Sequence, residues 1–198
     1  MRDSETGLYY HGYDASRTAF WADKETGLSS CFWLRAIGWF SVALADLVEI
    51  IPDDVPDNPL PGILFDLMKS LLPFADSETG MYYQVVDRSD AEGNYLESSG
   101  SAMIAYAMLK GARLGVLGPE FRDAGIKTFE GIVRRCLSLE NGEFHLGSIC
   151  LVAGLGPDNN LRRDGSLAYY LSEPVVRDDA KGVAPFLLCY TEIKRLAL

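Results

Sequence analysis

The apolar residues of this chain recur at helical spacing in two stretches that have almost no polar face. Within residues 31–50 they follow steps of three and four, which is the period of one face of a helix. Those positions are Trp33, Ile37, Phe40, Leu44 and Leu47. Small or apolar residues fill the other faces as well, and residues 98–115 are alike. A helix that is apolar nearly all round is usually buried, so we predict two buried helices.

Two further stretches have one apolar side and one charged side, as expected of helices that lie half in solvent. They cover residues 60–72 and 120–137, and Pro119 and Glu120 suit the first turn of the second stretch. A last helix is predicted over residues 183–196. The sequence therefore alternates buried helices with half-exposed ones.

A short segment occurs twice between the predicted helices. Asp3–Tyr10 has the same pattern as Asp76–Tyr83, and the same offset relates Asp14 to Asp87. Residues Glu140–His145 form a weaker third candidate. Each copy predicts a turn with glycine at the bend, followed by a short extended aromatic segment.

The order of loop, buried helix and half-exposed helix predicts an all-α double ring, in which inner helices face one another and outer helices cover them. This is the (α/α)6 toroid of the six-hairpin glycosidases. Twelve helices with ordinary connections need more than roughly 300 residues, and this chain has 198. We therefore expect residues 1–198 to form a single incomplete toroid domain, the C-terminal half to two-thirds of the ring, with the N-terminal helices missing or supplied by another chain. The alternative is a compact helical bundle that is complete as it stands.

Composition and charge narrow the class of partner. Hydrophobic residues make up 48% of the chain and charged residues 23%, which is typical of a soluble globular protein with a real core. The net charge of -10 disfavours nucleic acid, because phosphate binding needs a basic surface. An acidic sugar remains compatible, since it needs only one or two well-placed cations. No apolar run approaches the ~20 residues that span a bilayer, so we expect no membrane partner.

The cysteines and histidines indicate neither a disulfide framework nor a metal site. All four cysteines lie among apolar residues without Cys-x-x-Cys spacing, which predicts buried free thiols and fits a reducing compartment. The two histidines, His11 and His145, lack companion ligands for zinc. No glycine-rich phosphate loop is present, so no cofactor is expected. The polar residues Met1–Gly7 are not a signal peptide, which predicts a cytoplasmic protein unless the natural N-terminus is missing.

Short blocks of aromatic, charged and glycine-containing sequence lie between and within the predicted helices. They are Gly7–Asp14, Phe32–Trp39, Tyr82–Val85, Tyr95–Ala102, Arg163–Ser166, Tyr169–Pro174 and Lys181–Phe186. Taken together they resemble the unsaturated rhamnogalacturonyl hydrolases, glycoside hydrolase family 105. Each block alone is weak, but their succession follows the family's order over nearly the whole chain. The related unsaturated glucuronyl hydrolases match these blocks less well.

The sequence also departs from the family pattern. Tyr13 stands where the family usually has Trp, and Leu34 stands where it has Gly. Tyr13 keeps a flat stacking face and gains a hydroxyl, which we expect to change subsite preference. The family uses a second active-site Asp before the Gly7–Asp14 block, and only six residues precede that block here.

The resemblance implies a hydrolase that removes a 4,5-unsaturated uronic acid from unsaturated rhamnogalacturonan oligosaccharides, which derive from pectin. It implies hydration of the vinyl ether double bond, in which a carboxyl group protonates C4 and water adds at C5. We expect Asp14 to be the proton donor, with a pKa raised by burial among Tyr9, Tyr10 and Tyr13. The alternative is that Asp14 only caps the turn before Ala15.

The resemblance also implies substrate-binding residues in the aromatic loops. Aromatic faces suit sugar rings; we expect this contact for Trp33 and core packing for Trp39. Arg35 is a cation on a buried helix and needs a partner, for which the substrate carboxylate, Glu97 and Asp14 are candidates. The predicted substrate-binding set is His11, Tyr13, Trp33, Arg35, Tyr83, Gln84 and Arg88.

Other functions stay open on the sequence. A toroid without the second Asp could be an inactive fragment that binds a saccharide or has no function, and the chain could also be another unsaturated glucuronyl hydrolase. Epimerases on the same fold generally work with histidines, of which this chain has two. The exposed inner-helix faces of a partial ring would be apolar patches, so self-association through them is a further expectation.

Overall fold

The computed structural model describes residues 1–51 and 55–196, and α-helices dominate it. The helices are α1 (Leu34–Ile50), α2 (Leu60–Leu71), α3 (Ser98–Arg113), α4 (Pro119–Cys136), α5 (Leu167–Ser172) and α6 (Ala180–Leu196). Every helix expected from the sequence is present within a few residues of its predicted bounds, and the short α5 is an addition. Among the described residues, no helix combines the length and the apolar character that crossing a membrane requires.

Two small antiparallel sheets join the later helices, a feature that the all-α prediction left out. The strands pair as β1 (Leu137–Glu140) with β2 (Glu143–Leu146), and β3 (Ile149–Cys150) with β4 (Val175–Val176). Asn141 and Gly142 form the turn between β1 and β2, with φ values of 51° and 86°. Positive φ at both central residues is what a two-residue hairpin turn favours. The weaker third copy of the repeated segment is therefore a β-hairpin.

The centre of the fold is α3, in which every residue from 98 to 111 is buried. α1, α4 and α6 pack against it, and α2 packs against α1. The inner helices are thus α1, α3 and α6, while α2 and α4 lie outside them. This is the alternation of buried and half-exposed helices that the hydrophobic pattern predicts.

Glycine allows α1 and α3 to approach each other closely. A Cβ atom at Gly38 would lie 2.8 Å from the sulfur of Met103, and a Cβ at Gly100 would lie 2.5 Å from the side chain of Leu34. Protein interiors are close-packed, so a larger residue at either position would push the two helices apart.

α1 is not covered on all sides, contrary to the prediction. Trp39, Leu47 and Ile50 are 49%, 40% and 72% exposed. α6 likewise exposes Leu187 and Tyr190. Hydrophobic periodicity shows which sides of a helix are apolar, but it does not show whether a neighbour covers each side. The described inner helices therefore form an open arc, and its two edges are α1 and α6.

One loop conformation occurs three times and explains the repeated sequence. Asp3, Asp23 and Asp76 each accept hydrogen bonds from the backbone N–H and the hydroxyl of the threonine three residues later. The glycine that follows each threonine has φ between 73° and 77°, where glycine has no steric penalty. The repeat predicted from the sequence does not include the copy at Asp23, because serine rather than tyrosine follows Leu28 there.

Ion pairs join the inner helices at the end away from Trp33. The Nζ atom of Lys110 lies 2.7 Å from carboxylate oxygens of both Asp46 and Glu49, and the Nε atom of Arg113 lies 2.7 Å from Glu192. Burial alone would lower the pKa of Lys110, but hydrogen bonds to the two carboxylates outweigh it and raise the pKa. This network connects α1, α3 and α6.

We expect Thr79→Val to lower the free energy of unfolding by about 1–3 kcal/mol, because a buried hydrogen-bonding group loses its partners. The Thr79 hydroxyl donates to Asp76 and accepts from the Met81 N–H. Thr26→Val is the matched control, since its hydroxyl makes the same two hydrogen bonds in an exposed copy of the loop. Urea denaturation of the three proteins measures the difference. Equal losses in both variants would show that burial does not set the cost.

Candidate functional site

Four side chains stack at the start of α1. The ring centroids of His11 and Trp33 are 4.6 Å apart, and the Arg35 guanidinium lies 5.2 Å from the Trp33 centroid. Tyr170 of α5 stacks with Trp33 at 6.1 Å and an interplanar angle of 22°. We call these four residues the Trp33 layer. His11 and Trp33 precede α1, Arg35 belongs to α1 and Tyr170 belongs to α5, so the layer joins these three parts of the chain.

Backbone contacts between two loops hold the start of α1. The Leu34 N–H donates to the Gln84 carbonyl at 3.0 Å. Trp33 and Val85 form an isolated antiparallel bridge beside it. The segment that follows the repeated loop at Asp76 therefore lies directly against the first turn of α1.

Trp33 and Gln84, both predicted to bind substrate, are buried. Trp33 is 6% exposed and Gln84 is 0% exposed. The indole N–H of Trp33 donates to Gln84 Oε1 at 3.3 Å, and Gln84 Nε2 donates to the Tyr170 carbonyl at 3.4 Å. In this structure the two side chains hold the Trp33 layer together, and neither presents a face to solvent.

Arg35 is also buried, at 1% exposed, and its Nη1 atom has two protein acceptors. Its Nη1 donates to the Cys150 carbonyl at 2.6 Å and to Ser99 Oγ at 3.3 Å. Ser99 in turn donates to the Glu97 carboxylate at 2.6 Å. Glu97, one of the partners we considered, thus compensates the cation through a hydroxyl. Because Arg35 is 1% exposed, a direct contact with a substrate would require neighbouring groups to move.

His11 is held by Tyr170. The Nδ1 atom of His11 lies 2.6 Å from the Tyr170 hydroxyl oxygen. Burial lowers the pKa of His11 to about 4, so the imidazole is neutral at neutral pH. Burial raises the pKa of Tyr170, so its hydroxyl keeps its proton. The pair is therefore an uncharged hydrogen-bonded unit.

An open recess of about 330 Å³ adjoins His11 on the exposed side of α1. Its lining is Met1, Tyr9, Tyr10, His11, Ala36, Ile37 and Phe40. Trp39 follows on the same helix and is 49% exposed, so the predicted core packing of Trp39 is wrong. Aromatic and aliphatic walls with one polar imidazole are typical of a small-molecule site. We take this recess and the Trp33 layer as the candidate site.

Asp14 is not buried among aromatic side chains as we expected. Its carboxylate accepts hydrogen bonds from the N–H groups of Ser16, Thr18 and Ala19 and from the Ser16 hydroxyl. These bonds, with that from Ala19 the largest cause, lower the pKa of Asp14 to about 2. The expected rise in pKa is wrong, because hydrogen bonds to the charged form outweigh burial. Asp14 caps its turn as an ionised carboxylate.

The remaining predicted residues lie outside the Trp33 layer. Tyr13 is 49% exposed. Tyr83 lines a separate cleft of about 430 Å³ together with Tyr95. Arg88 forms an ion pair with Asp87 at 3.2 Å, and its side chain is 55% exposed. Whether any of these three contacts a substrate stays a prediction.

The sequence assigns no role to Tyr170, which is part of the candidate site. Tyr170 lies in one of the blocks that carry the family resemblance, but nothing in its local sequence pairs it with His11, which is far away along the chain. Trp39 lies within a stretch of helical period that is apolar nearly all round, and core packing is therefore what the sequence predicts for it. Only the packing of neighbouring elements distinguishes these positions.

The described residues form part of a helical toroid, the fold of a structural neighbour among the glycoside hydrolases. Residues 1–197 match the family described as Glycosyl Hydrolase Family 88, so the chain belongs to that family. A solved structure of a family 105 glycoside hydrolase from C. acetobutylicum superposes with a TM-score of 0.95 at 44% identity. The match covers 98% of this chain and 54% of that chain, so this chain spans about half of its length. The resemblance to family 105 and the incomplete (α/α)6 toroid are confirmed.

Two curated proteins are also similar. Protein Atu3128 of Agrobacterium fabrum is 43% identical over 196 residues, which make up 96% of this chain and 84% of that protein. The unsaturated rhamnogalacturonyl hydrolase YesR of Bacillus subtilis is 31% identical over 115 residues. That match covers 58% of this chain and 30% of YesR.

The hydrogen bonds of Asp14 predict how stability depends on pH at this residue. The pKa in the folded protein lies below the ordinary value, so the bonds stabilise the fold above about pH 4 and this contribution is lost as the pH falls towards 2. We therefore expect Asp14→Asn to be less stable than the parent protein at pH 7, and the difference to shrink in acid. Carbon-13 NMR titration of the carboxyl group should show a midpoint near 2. A midpoint of about 6 or above would instead support the donor role.

Proposed function

We propose that this protein is a hydrolase that removes a 4,5-unsaturated uronic acid from unsaturated rhamnogalacturonan oligosaccharides. The observation that carries the proposal is the recess beside His11, built on a Trp33 layer in a chain that is 44% identical to a family 105 structure. The name of YesR supports this substrate class, and its match is limited to 58% of the chain.

The proposed reaction is the hydration of a vinyl ether. A proton is added to C4 of the unsaturated ring, which leaves positive charge shared between C5 and the ring oxygen. Water then adds at C5 and loses a proton, and the resulting hemiketal opens with release of the sugar. His11 contributes a hydrogen bond to the bound sugar or to the water. Tyr9, Tyr10 and Phe40, which line the same recess, contribute aromatic faces for stacking.

The source of the proton depends on the protonation state of Asp14. A carboxyl group with a pKa of about 2 is ionised at neutral pH and has no proton to give. We therefore propose that the proton comes from a group other than Asp14. The resemblance suggests the second active-site aspartate of the family, which precedes the block that corresponds to Gly7–Asp14.

Loss of near-ultraviolet absorbance tests this function, because hydration destroys the double bond that absorbs. We expect the protein to consume unsaturated rhamnogalacturonan disaccharide, and His11→Ala to lower kcat/KM by about 10-fold or more, as loss of a well-placed hydrogen bond does. His145→Ala is the matched control, since that histidine pairs with Asp178 outside the Trp33 layer.

Asp14→Asn separates the two roles of Asp14 in the same assay. We expect activity within a few-fold of the parent, whereas removal of a general acid typically costs about 100-fold or more.

An unsaturated glucuronyl disaccharide serves as the competing substrate, and faster turnover of it would favour the alternative specificity. A flat trace with both substrates, combined with binding in calorimetry, would favour a saccharide-binding protein without activity.

We also propose that the exposed apolar side chains of α1 mediate self-association with a second copy of this chain. Leu47 and Ile50 are 40% and 72% exposed at one edge of the arc. Contiguous exposed apolar side chains commonly mark an interaction surface.

Light scattering after size exclusion tests the self-association. We expect a dimer for the parent protein and a monomer for the double variant Leu47→Glu, Ile50→Glu, because two buried charges oppose the interface. Leu161→Glu is the control, since Leu161 is 66% exposed in a loop that is not part of α1. A monomeric parent protein, or a double variant that remains dimeric, would rule out this interface.

A further inference from the structure

We propose that Tyr170 is a positioning residue that fixes the tautomer of His11, so that the imidazole carries its proton on Nε2 and acts as a hydrogen-bond donor in the recess. The catalytic consequence rests on the function proposed above, but the tautomer itself does not. The ligand chemistry that fits is an uncharged oxygen acceptor, such as a sugar hydroxyl or the attacking water.

The geometry leaves one ring nitrogen of His11 for a ligand. Nδ1 is 2.6 Å from the Tyr170 hydroxyl oxygen, which is within hydrogen-bonding distance. Nε2 makes no hydrogen bond with any side chain or backbone atom among residues 1–51 and 55–196. His11 also lines the recess of about 330 Å³. With Nδ1 occupied by Tyr170, Nε2 is the nitrogen that a bound molecule can reach.

The direction of the His11–Tyr170 hydrogen bond follows from the surroundings of Tyr170. The side chain of Tyr170 is buried, at 0% exposed, and its hydroxyl has no other hydrogen-bond partner among the described residues. If Nδ1–H donated to the hydroxyl oxygen, the hydroxyl proton would be buried without an acceptor, which is unfavourable. If the hydroxyl donates to Nδ1, both groups are satisfied. The proton of the neutral imidazole then resides on Nε2.

Tyr170 is itself held from several sides, so the hydrogen bond is pre-oriented. Its ring stacks with Trp33 at 6.1 Å, and its carbonyl accepts from Gln84 Nε2 at 3.4 Å. The ring of Tyr169 packs against it at 5.2 Å. Packing and hydrogen bonds that hold the partner of a histidine in this way also fix the orientation of the imidazole ring. The burial of Gln84, which is at odds with direct substrate binding, is explained by this support.

Nitrogen-15 NMR of histidine-labelled protein tests the tautomer directly. We expect the His11 signals of the parent protein to show a protonated Nε2 and an unprotonated Nδ1 at neutral pH. In Tyr170→Phe we expect a mixture of both tautomers. His145 provides an internal reference in each spectrum, because its partner is Asp178. A protonated Nδ1 in the parent protein would overturn the proposal without any variant, and so would an unchanged tautomer in Tyr170→Phe.

Kinetics then test the consequence for the proposed reaction. We expect Tyr170→Phe to lower kcat/KM by about 10-fold, and Tyr169→Phe to stay within about 2-fold. Tyr169 is a matched control because its hydroxyl accepts from the Gly154 N–H and makes no contact with His11 through a hydrogen bond. Unchanged kcat/KM in Tyr170→Phe would overturn the positioning role. An inactive parent protein with the expected NMR signals would contradict the proposed function and leave the tautomer assignment supported.

Discussion

The buried guanidinium of Arg35 is the contact on which the loop end of this molecule depends. It donates to the Cys150 carbonyl and to Ser99 Oγ, and it lies over the ring of Trp33. One side chain thereby connects α1, α3 and β3. A buried cation is tolerated only where hydrogen bonds and opposite charge compensate it. Glu97 supplies that charge through Ser99, so these groups form one polar unit in an apolar core.

Two sets of contacts connect this polar unit to the candidate site. Arg35 supports Trp33, and Trp33 and Gln84 support His11 and Tyr170. The close approach of α1 and α3 at Gly38 and Gly100 sets the distance over which these contacts can form. Trp33, Arg35 and Gln84, three of the residues predicted to bind substrate, are buried members or supports of this layer. His11 is the residue of the Trp33 layer that also lines the open recess.

The carboxylates near the site illustrate why residue type alone does not decide chemistry. Asp3, Asp23 and Asp76 hold three copies of one loop, and the pKa of each is lowered. At Asp76 burial acts to raise the pKa, but the hydrogen bonds together outweigh it. Asp14 has a similar environment, because three backbone N–H groups point at its carboxylate. An aspartate in a tight turn is therefore ionised here, whatever its neighbours in the sequence. The pKa of Asp14 depends on the direction of backbone groups, which the sequence does not contain.

The sequence by itself determined the helices, the repeated loops at Asp3 and Asp76, and the family, because these depend on local periodicity and on residue order. It could not show that α1 is an edge, that Trp39 is exposed while Trp33 is buried, or that Tyr170 holds His11. Those facts depend on which elements meet in space. Period and composition describe one segment at a time, whereas burial, pKa and hydrogen bonding are properties of the neighbours that tertiary structure brings to it.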